Sequence, residues 1–398
     1  MKFIAGVNSQ NTVIRIHKSL TVLIATLVLA AGAHAQVFRL VHEGVEYAEL
    51  RREVAGKDVN INLLRLDPTK VRLDVVHAVD AAIGTERTSS IARRHGAVAA
   101  VNAGFFRLDT SIFAGDAAGI LMIDRRLLSE SLNSRIALGI NNGPARTEVF
   151  FGHLDTALSL RTGAGKTFPI TGINRERKND EIILFTREFS RTTLTDLSGS
   201  EFVVRSAQAA GNYGRLIEVR EREGSTVIPF SSFVISASGK FQSELEAAAR
   251  NRSRNWSVSM QVIAADENRR RDFANAEDIV AGIPQLVKNG AVNVTWEQER
   301  TSRSFVDTRH PRTAVARLKD GRILLITVDG RSESSGGIGL YDLAALLIEF
   351  GAVDAMNLDG GGSTTMVLNG SVVNKPSDKE GERKVSDALL VTLREKSP

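Results

Sequence analysis

The pattern of hydrophobic and polar positions along the chain predicts many short strands and few helices. Two alternating runs, at 60–64 and 71–76, flank a turn at 67–70, and 97–101 is typical of a buried strand. Further strands are predicted at 181–185, 257–263, 313–318, 322–328, 353–358, 363–368 and 371–373. An N-cap pattern at 88–90 predicts a short helix through Arg94, a second helix is predicted near 244–250, and apolar residues at helical spacing predict a third at 340–350.

These elements follow no strict alternation of strand and helix, which argues against a doubly wound parallel sheet. We therefore expect an α+β fold, with a strand-rich mixed sheet core and a few helices packed on it. The sequence shows no internal repeat and no Pro- or Ser-rich linker. A single domain over 36–398 is the simplest organisation.

The first 35 residues have the pattern of a signal peptide. Lys2, Arg15 and Lys18 precede or flank an apolar run at 20–31, and the small-x-small pattern Ala33-His34-Ala35 follows. We expect cleavage before Gln36 and a periplasmic or secreted mature protein. An uncleaved N-terminal anchor is the alternative. No later apolar run is long enough to span a membrane.

Composition narrows the function classes. The chain has 398 residues, 42% of them hydrophobic and 24% charged, which is typical of globular proteins. The absence of cysteine excludes disulfides, thiol catalysis and cysteine-ligated metals. Removing the three basic leader residues from 51 basic and 46 acidic residues leaves a nearly neutral protein. Such a balance gives no general electrostatic basis for binding nucleic acid.

Three segments place small polar residues at the ends of predicted strands. They are 102–106, the pair 309–313 and 329–331, and 357–366, which contains Asp359-Gly360-Gly361-Gly362. Glycine-rich loops expose backbone N–H groups that bind anions, and guanidinium groups pair with phosphate or carboxylate. Aspartates at strand ends supply a nucleophile or base. Together these segments suit an anionic substrate that also requires carboxylate chemistry.

Taken singly, most of these residues have a simpler interpretation. Asp329 fits an ordinary Asp-Gly turn, Arg309 and Arg312 fit a solvated surface, and Phe105 fits a packed core. Asp359 has no such simple structural interpretation. The three glycines that follow it disfavour a strand and have no side chains to pack, which favours a functional role for this segment.

Competing motifs fail in detail. Gly165-Lys166-Thr167 resembles the end of a P-loop, but Leu160 occupies the position of its first glycine. Residues 359–363 resemble a phosphate loop of actin-like sugar kinases, but the early Asp-x-Gly loop of that class is missing.

Taken together, the motifs resemble the phosphodiester glycosidase family. The resemblance extends over about 60–390 with gaps and is dense over 280–390. The matching segments are Asn102-Ala-Gly-Phe-Phe, 170–174, 185–186, Gly282-Ile-Pro-Gln-Leu-Val-Lys-Asn-Gly, Pro311-Arg-Thr-Ala-Val, Asp329-Gly-Arg, Asn357-Leu-Asp-Gly-Gly-Gly-Ser-Thr-Thr-Met and Ser386-Asp387.

This resemblance implies hydrolysis of a sugar-1-phosphodiester. With the expected export, we predict that the substrates are envelope or exopolysaccharide glycans. Asp359 would supply the carboxylate, Asp329 a second acid or base, and Arg312 the cation on the phosphate. Asn102 and Asn357 would bind sugar hydroxyls. The other expected substrate contacts are Gly104, Phe105, His310, Thr313, Arg331, Gly360, Gly361, Gly362, Ser363 and Thr364.

Other readings of the same residues remain open. A non-catalytic glycan-binding protein would use the same groups without turnover, and a phosphodiesterase would cut at phosphorus instead of carbon. We expect no cofactor and no obligatory metal, because no D-x-D-x-D-G loop is present and Arg312 already neutralises phosphate. Aspartates beside a glycine-rich loop could nevertheless hold Ca²⁺.

Overall fold

The structure, a computed structural model, describes residues 38–207 and 212–395. The expected signal peptide at 1–35 lies outside the described residues. Within those ranges, no helix is both long enough and apolar enough to cross a bilayer.

The described residues form strands, five α-helices and four short 3-10 turns. The strands are β1 Arg39–His42, β2 Val45–Val54, β3 Lys57–Leu66, β4 Val71–His77, β5 Glu86–Arg87, β6 Ala99–Asn102, β7 Leu121–Ile123, β8 Arg126–Ser129, β9 Ile136–Asn142, β10 Thr147–Arg161, β11 Thr167–Pro169, β12 Gly172–Ile173, β13 Ile182–Phe185, β14 Gly199–Ser206, β15 Tyr213–Glu221, β16 Ser232–Ser238, β17 Asn255–Ala264, β18 Asp278–Ala281, β19 Gln285–Lys288, β20 Ala291–Val292, β21 Arg312–Leu318, β22 Ile323–Val328, β23 Ala352–Asn357, β24 Met366–Leu368, β25 Ser371–Val372, β26 Lys384–Val385 and β27 Asp387–Leu393. The helices are α1 Thr88–Arg94, α2 Gln242–Ala249, α3 Arg270–Ala274, α4 Arg303–Asp307 and α5 Leu340–Glu349, and the 3-10 turns are Ala78–Asp80, Gly239–Phe241, Glu267–Arg269 and Gly361–Ser363.

The strand-rich core with a few helices is confirmed, with 46% strand and 13% helix. The sheets are less mixed than predicted, because β12 with β13 is the one parallel pair recorded among the described strands. The strand predicted at 363–368 begins only at Met366. Residues 361–363 form a 3-10 turn instead, in which Gly361 has a φ of +61° that glycine readily adopts.

An eight-stranded sheet in the order β1-β2-β3-β22-β21-β23-β19-β20 carries one half of the candidate site. Its central strands are apolar on both faces and are buried accordingly. Helix α5 covers one face through Leu340, Leu343 and Leu347, which recur at helical spacing and are fully buried.

A five-stranded sheet in the order β25-β24-β6-β27-β4 carries the other half. The segment between β23 and β24 leaves the eight-stranded sheet and enters this one, and it contains residues 358–365. The two sheets share a core that includes Val101, Val315, Met356 and Leu389. The glycine-rich motif therefore forms the connection between the two packed sheets.

The middle of the chain forms a nearly closed, barrel-like sheet of twelve strands. Its path runs from β12 to β8, and these two end strands approach each other. The Ile173 amide donates to the Glu130 carboxylate at 2.9 Å, and the Asn174 side chain donates to the Leu128 carbonyl at 3.2 Å. The interior is filled by large apolar residues such as Phe202 and Trp256.

Arg175 is expected to hold this barrel together. Its guanidinium donates to Glu130 at 2.6 Å and to both carboxylate oxygens of Glu181 at 2.8 and 3.0 Å, and all three side chains are about four-fifths buried. Arg175→Met should lower the free energy of unfolding by about 2–3 kcal/mol, because it leaves two largely buried carboxylates without their cation. Urea unfolding measures this loss.

The matched control is Arg126→Met, whose side chain is exposed and pairs with Glu188 at 2.8 Å. It should change stability by less than about 0.5 kcal/mol. Equal effects of the two substitutions would contradict a closing role for Arg175.

Candidate active site

Three strand ends of the eight-stranded sheet meet at one edge. Arg312 at the start of β21 pairs with Val328 at the end of β22, and Ala314 pairs with Asn357 at the end of β23. Because β21 runs antiparallel to both neighbours, its first residue lies beside the residues that follow them. Asp329 follows β22 directly, and Asp359 is the second residue after β23. The register thus brings Arg312, Asp329 and Asp359 to the same edge.

Asn102, at the end of β6, connects this edge to the five-stranded sheet. Its Nδ2 donates to the Asp359 carbonyl at 2.7 Å, while its Oδ1 accepts from the Thr313 hydroxyl at 2.7 Å and the Thr365 amide at 3.1 Å. Asn102 is 0% exposed. Both ends of its amide bind groups of the protein, so it positions the site, which differs from the sugar contact predicted for it.

The Asp359 carboxylate is the central titratable group of the edge. It is half-buried, its Oδ1 accepts from the Gly360 amide at 2.9 Å, and its own amide donates to the Ala103 carbonyl at 2.8 Å. Burial raises the pKa of Asp359 to about 6, against the lowering effect of the Ser363 hydroxyl and the Gly360 amide. The carboxylate is therefore mostly ionised at neutral pH and gains a proton in mild acid.

The Arg312 guanidinium is 2% exposed and is bound by backbone carbonyls. Nη2 donates to Phe305 at 2.7 Å and to Thr308 at 2.9 Å, and Nε donates to Ile338 at 3.3 Å. Burial, together with the charge of Arg331, lowers the pKa of Arg312 to about 10. The predicted phosphate clamp is mostly committed to the fold, and only Nη1 makes no hydrogen bond with another described residue.

Arg331 supplies an exposed cation over the glycine loop. A Cβ built on Gly361 would lie 3.0 Å from Arg331 Nη2, and the same nitrogen lies 3.3 Å from His310 Nδ1. Burial, followed by the charges of Arg312 and Arg331, holds the pKa of His310 below its ordinary value. His310 is thus a neutral imidazole at pH 7, held between two guanidinium groups.

The glycine loop packs against cations more than it offers free amides. The Gly360 amide binds its neighbouring carboxylate, and the Gly361 amide donates to the Pro311 carbonyl at 2.9 Å. A Cβ on Gly362 would meet Arg383 Nη2 and Asp378 Oδ1 at 2.2 Å, so any side chain there would have to displace these two groups. The anion-binding amides predicted at 360 and 361 already have partners within the protein.

Asp329 lies at the same edge behind Asn374. Its Oδ1 accepts from Asn374 Nδ2 and from the Lys375 amide, both at 3.1 Å. Asn374 also donates to the Thr364 carbonyl at 3.1 Å. Asp329 is 4% exposed, and burial raises its pKa. These contacts link the predicted second carboxylate to the glycine loop through one amide side chain.

The remaining predicted contacts divide into an accessible and an enclosed group. Phe105 is half-buried and meets Phe305 edge-on with ring centroids 6.1 Å apart, and Phe305 lies 5.0 Å from the Arg312 guanidinium carbon. The enclosed group, in which every residue is buried, is Gly104, Thr313, Asn357, Ser363 and Thr364. Thr364 Oγ1 and Asn357 Oδ1 are buried without a hydrogen-bond partner among the described residues.

Sequence reasoning missed three residues of this region. Asp387 is 1% exposed, accepts from the Gly104 amide and from Ser386 Oγ at 2.7 Å, and raises the pKa of Asp359 by its charge. Arg383 pairs with Asp378 at 2.7 Å beside the glycine loop. The Ser386-Asp387 motif was a usable signal for Asp387. Nothing in the sequence pattern distinguished Arg383 or Asn374.

Metal binding has no assembled ligand set here. Within 38–207 and 212–395, no three His, Asp or Glu side chains converge in a way that could hold an ion. Asp359, inside the glycine loop, already accepts the Gly360 amide, and Asp378, beside Gly362, already pairs with Arg383.

The phosphodiester glycosidase family model matches residues 205–392. The bovine N-acetylglucosamine-1-phosphodiester alpha-N-acetylglucosaminidase is 38% identical over 109 residues, which cover 25% of this chain and 20% of that protein. The human enzyme is 35% identical over 109 residues, covering 25% and 21%. The chain spans about a fifth of the length of these relatives.

Among solved structures, the crystal structure of a hypothetical protein from Synechocystis has a TM-score of 0.74 at 22% identity. The match covers 92% of this chain and 65% of that one. At this identity the likeness concerns the fold alone.

Asp359 should make stability depend on pH. Because its folded pKa lies above the unfolded value near 4, the stabilisation from its protonated form is present below pH 4 and is lost as pH rises through about 6. The asparagine in Asp359→Asn has no proton to lose. As pH rises from 4 to 7, the free energy of unfolding of the variant, relative to that of the wild type, should therefore rise by about 2–3 kcal/mol. Urea unfolding of both proteins across this range measures the difference, and a constant offset would contradict the raised pKa.

Proposed function

We propose that this chain, which belongs to the phosphodiester glycosidase family, is a hydrolase that releases a sugar from a sugar-1-phosphodiester. The observation that supports this most is the ionisable Asp359 carboxylate inside a glycine loop, with the Arg331–His310 pair beside that loop. A carboxylate facing cations suits a substrate with an electrophilic sugar carbon joined to an anionic leaving group. N-acetylglucosamine-1-phosphodiesters are the substrates to test first, from the names of the bovine and human relatives.

In the proposed reaction, Asp359 acts at the anomeric carbon as nucleophile or as the base for water. Its pKa of about 6 leaves it mostly ionised at pH 7. The departing phosphate monoester is a good leaving group, so it needs less proton donation than an ordinary sugar alcohol does. Arg331, with Nη1 of Arg312, stabilises the charge that develops on this phosphate. His310, neutral between these cations, contributes a hydrogen bond without adding charge.

We also propose that the leader at 1–35 directs export and that the mature chain from residue 36 is one domain acting in the periplasm or medium. Envelope or exopolysaccharide glycans carrying phosphate-linked sugars would then be the natural substrates. No obligatory metal is proposed, so activity should persist in EDTA. Cell fractionation with an antibody to the mature chain tests the location.

The deciding assay incubates the purified mature protein with an α-GlcNAc-1-phosphodiester and with UDP-sugars in ¹⁸O-water. Sugar release with label in the sugar supports cleavage at carbon. Label in the phosphate would instead establish a phosphodiesterase. Ligand binding without turnover would establish a glycan-binding protein.

Asp359→Asn should lower kcat/KM by about 10³-fold, within the range for loss of a positioned acid–base or nucleophilic carboxylate. In the wild type, kcat/KM should rise with pH through about 6 and then level, because only the ionised carboxylate reacts. Steady-state assays from pH 4.5 to 8 measure both effects. Asp307→Asn, at an exposed residue paired with Arg303, is the control and should retain full activity. A variant at 359 with normal turnover would refute the role of this carboxylate.

Substitution by lysine should have different effects at Arg331 and at Arg312. Arg331→Lys loses the planar pair of donors that a guanidinium offers to phosphate. The resulting fall in kcat/KM should correspond to an increase of about 1.5–3 kcal/mol in the activation free energy, with little change in melting temperature. Arg312→Lys loses buried hydrogen bonds to three carbonyls and should lower the melting temperature. Kinetics and thermal melts of both variants test this division. A normally melting Arg312→Lys protein with reduced turnover would instead assign the phosphate contact to Arg312.

A further inference from the structure

A second cationic feature lies at the other end of β21. A cleft of about 440 Å³ opens between the β9–β10 turn, helix α3 and the β21–β22 turn. Four arginines line it, Arg146, Arg269, Arg271 and Arg317, against two acids, Glu148 and Asp272. The whole chain has 51 basic and 46 acidic residues, so this concentration of guanidinium groups is a local property.

Two of the four guanidinium groups have no partner within 38–207 and 212–395. Arg269 pairs with Asp272 at 3.0 Å and Arg317 with Asp354 at 2.5 Å. The side chains of Arg146 and Arg271 make no ion pair or hydrogen bond with any described residue, and both are exposed. The exposed Arg269 pair contributes little to stability, so an arriving anion competes with it at low cost.

The cleft has a fixed wall. The Arg394 guanidinium donates to the carbonyls of Gly143 at 2.9 Å and Pro144 at 3.4 Å, which anchors the turn that carries Arg146. Across the cleft, a Cβ built on Gly321 would lie 3.7 Å from Arg146 Nη2. The Arg146 guanidinium therefore lies against the β21–β22 turn.

We propose that this cleft binds a second phosphate group of a polymeric sugar-phosphate substrate. The inference rests on the proposed function for the identity of the polymer, but the cleft's preference for phosphate follows from its guanidinium groups alone. Arg317 lies five residues along β21 from Arg312, a distance of roughly 16 Å at the usual rise of a strand. Side chains five residues apart on a strand project to opposite faces of the sheet, so a glycan that enters the candidate active site must pass around the sheet and be longer than this distance to reach the cleft.

Binding is tested with inorganic polyphosphate, by isothermal titration of the full mature chain at low and moderate salt. The cleft variant is Arg146→Gln with Arg271→Gln. The matched control is Arg93→Gln with Arg215→Gln, which removes the same charge from two exposed arginines that have no recorded partner among the described residues. We expect the cleft variant to weaken binding about tenfold and to flatten its salt dependence, with less than about a twofold change in the control.

Equal weakening in both variants, or no binding by the wild type, would overturn the proposal. Thermal melts confirm that each variant is folded, and the two single substitutions are measured as well. Hydrolysis gives an independent readout, in which the cleft variant should raise KM for a polymeric sugar phosphate and leave a small N-acetylglucosamine phosphodiester unaffected. If no substrate is hydrolysed, the proposed function is wrong. The polyphosphate titration still shows whether the cleft binds phosphate.

Discussion

The side-chain amide of Asn102 fixes the relative positions of the segments that form the candidate site. Its two ends hold the backbone before the glycine loop, the backbone after it, and the hydroxyl of Thr313 at the start of β21. These segments come from two different sheets, and the amide that joins them is entirely buried. Water cannot replace its hydrogen bonds, so the loop geometry is coupled to the packing of both sheets. The orientation of Asp359 is therefore a property of the whole core.

Burial acts on the charged groups of this edge in opposite directions. It raises the pKa of Asp359 toward neutrality and lowers the pKa of Arg312 and His310. At pH 7 the result is an ionised carboxylate, a neutral imidazole and cationic guanidinium groups within one edge. Removal from water strengthens the field of each remaining charge. A substrate whose negative charge lies on the leaving group, away from the carboxylate, fits this arrangement better than a neutral glycoside does.

Local patterns were sufficient to predict many of the elements that form the site. The apolar spacing of α5 and the alternation in β3 specify those elements without reference to the rest of the chain. The Asn369-Gly370 turn likewise has positive φ at both residues, as a two-residue hairpin requires. The barrel was not predicted, because closure depends on contacts such as Arg175 with Glu130, which are 45 residues apart.

Residue type and position could not reveal which polar groups the protein itself would satisfy. Arg312 and Asn102 have the side chains expected of a ligand site and lie beside it. Their partners, however, come from segments 4 to 26 residues away for Arg312 and more than 200 for Asn102. Only the assembled fold shows that these groups are engaged. Arg331, in contrast, is exposed and lies at the glycine loop.

The glycines of the loop then have a different physical role from the one that their pattern suggested. Gly361 has a φ of +61° and lies under the Arg331 guanidinium, while Gly362 leaves no room for a side chain beside Arg383. A larger residue at either position would displace a cation from the neighbourhood of Asp359. Because Coulomb attraction weakens with distance, such a displacement would reduce the stabilisation of charge on the phosphate leaving group that we propose. The triplet thus brings guanidinium groups close to a carboxylate without interposed side chains, which the backbone amides alone would not achieve.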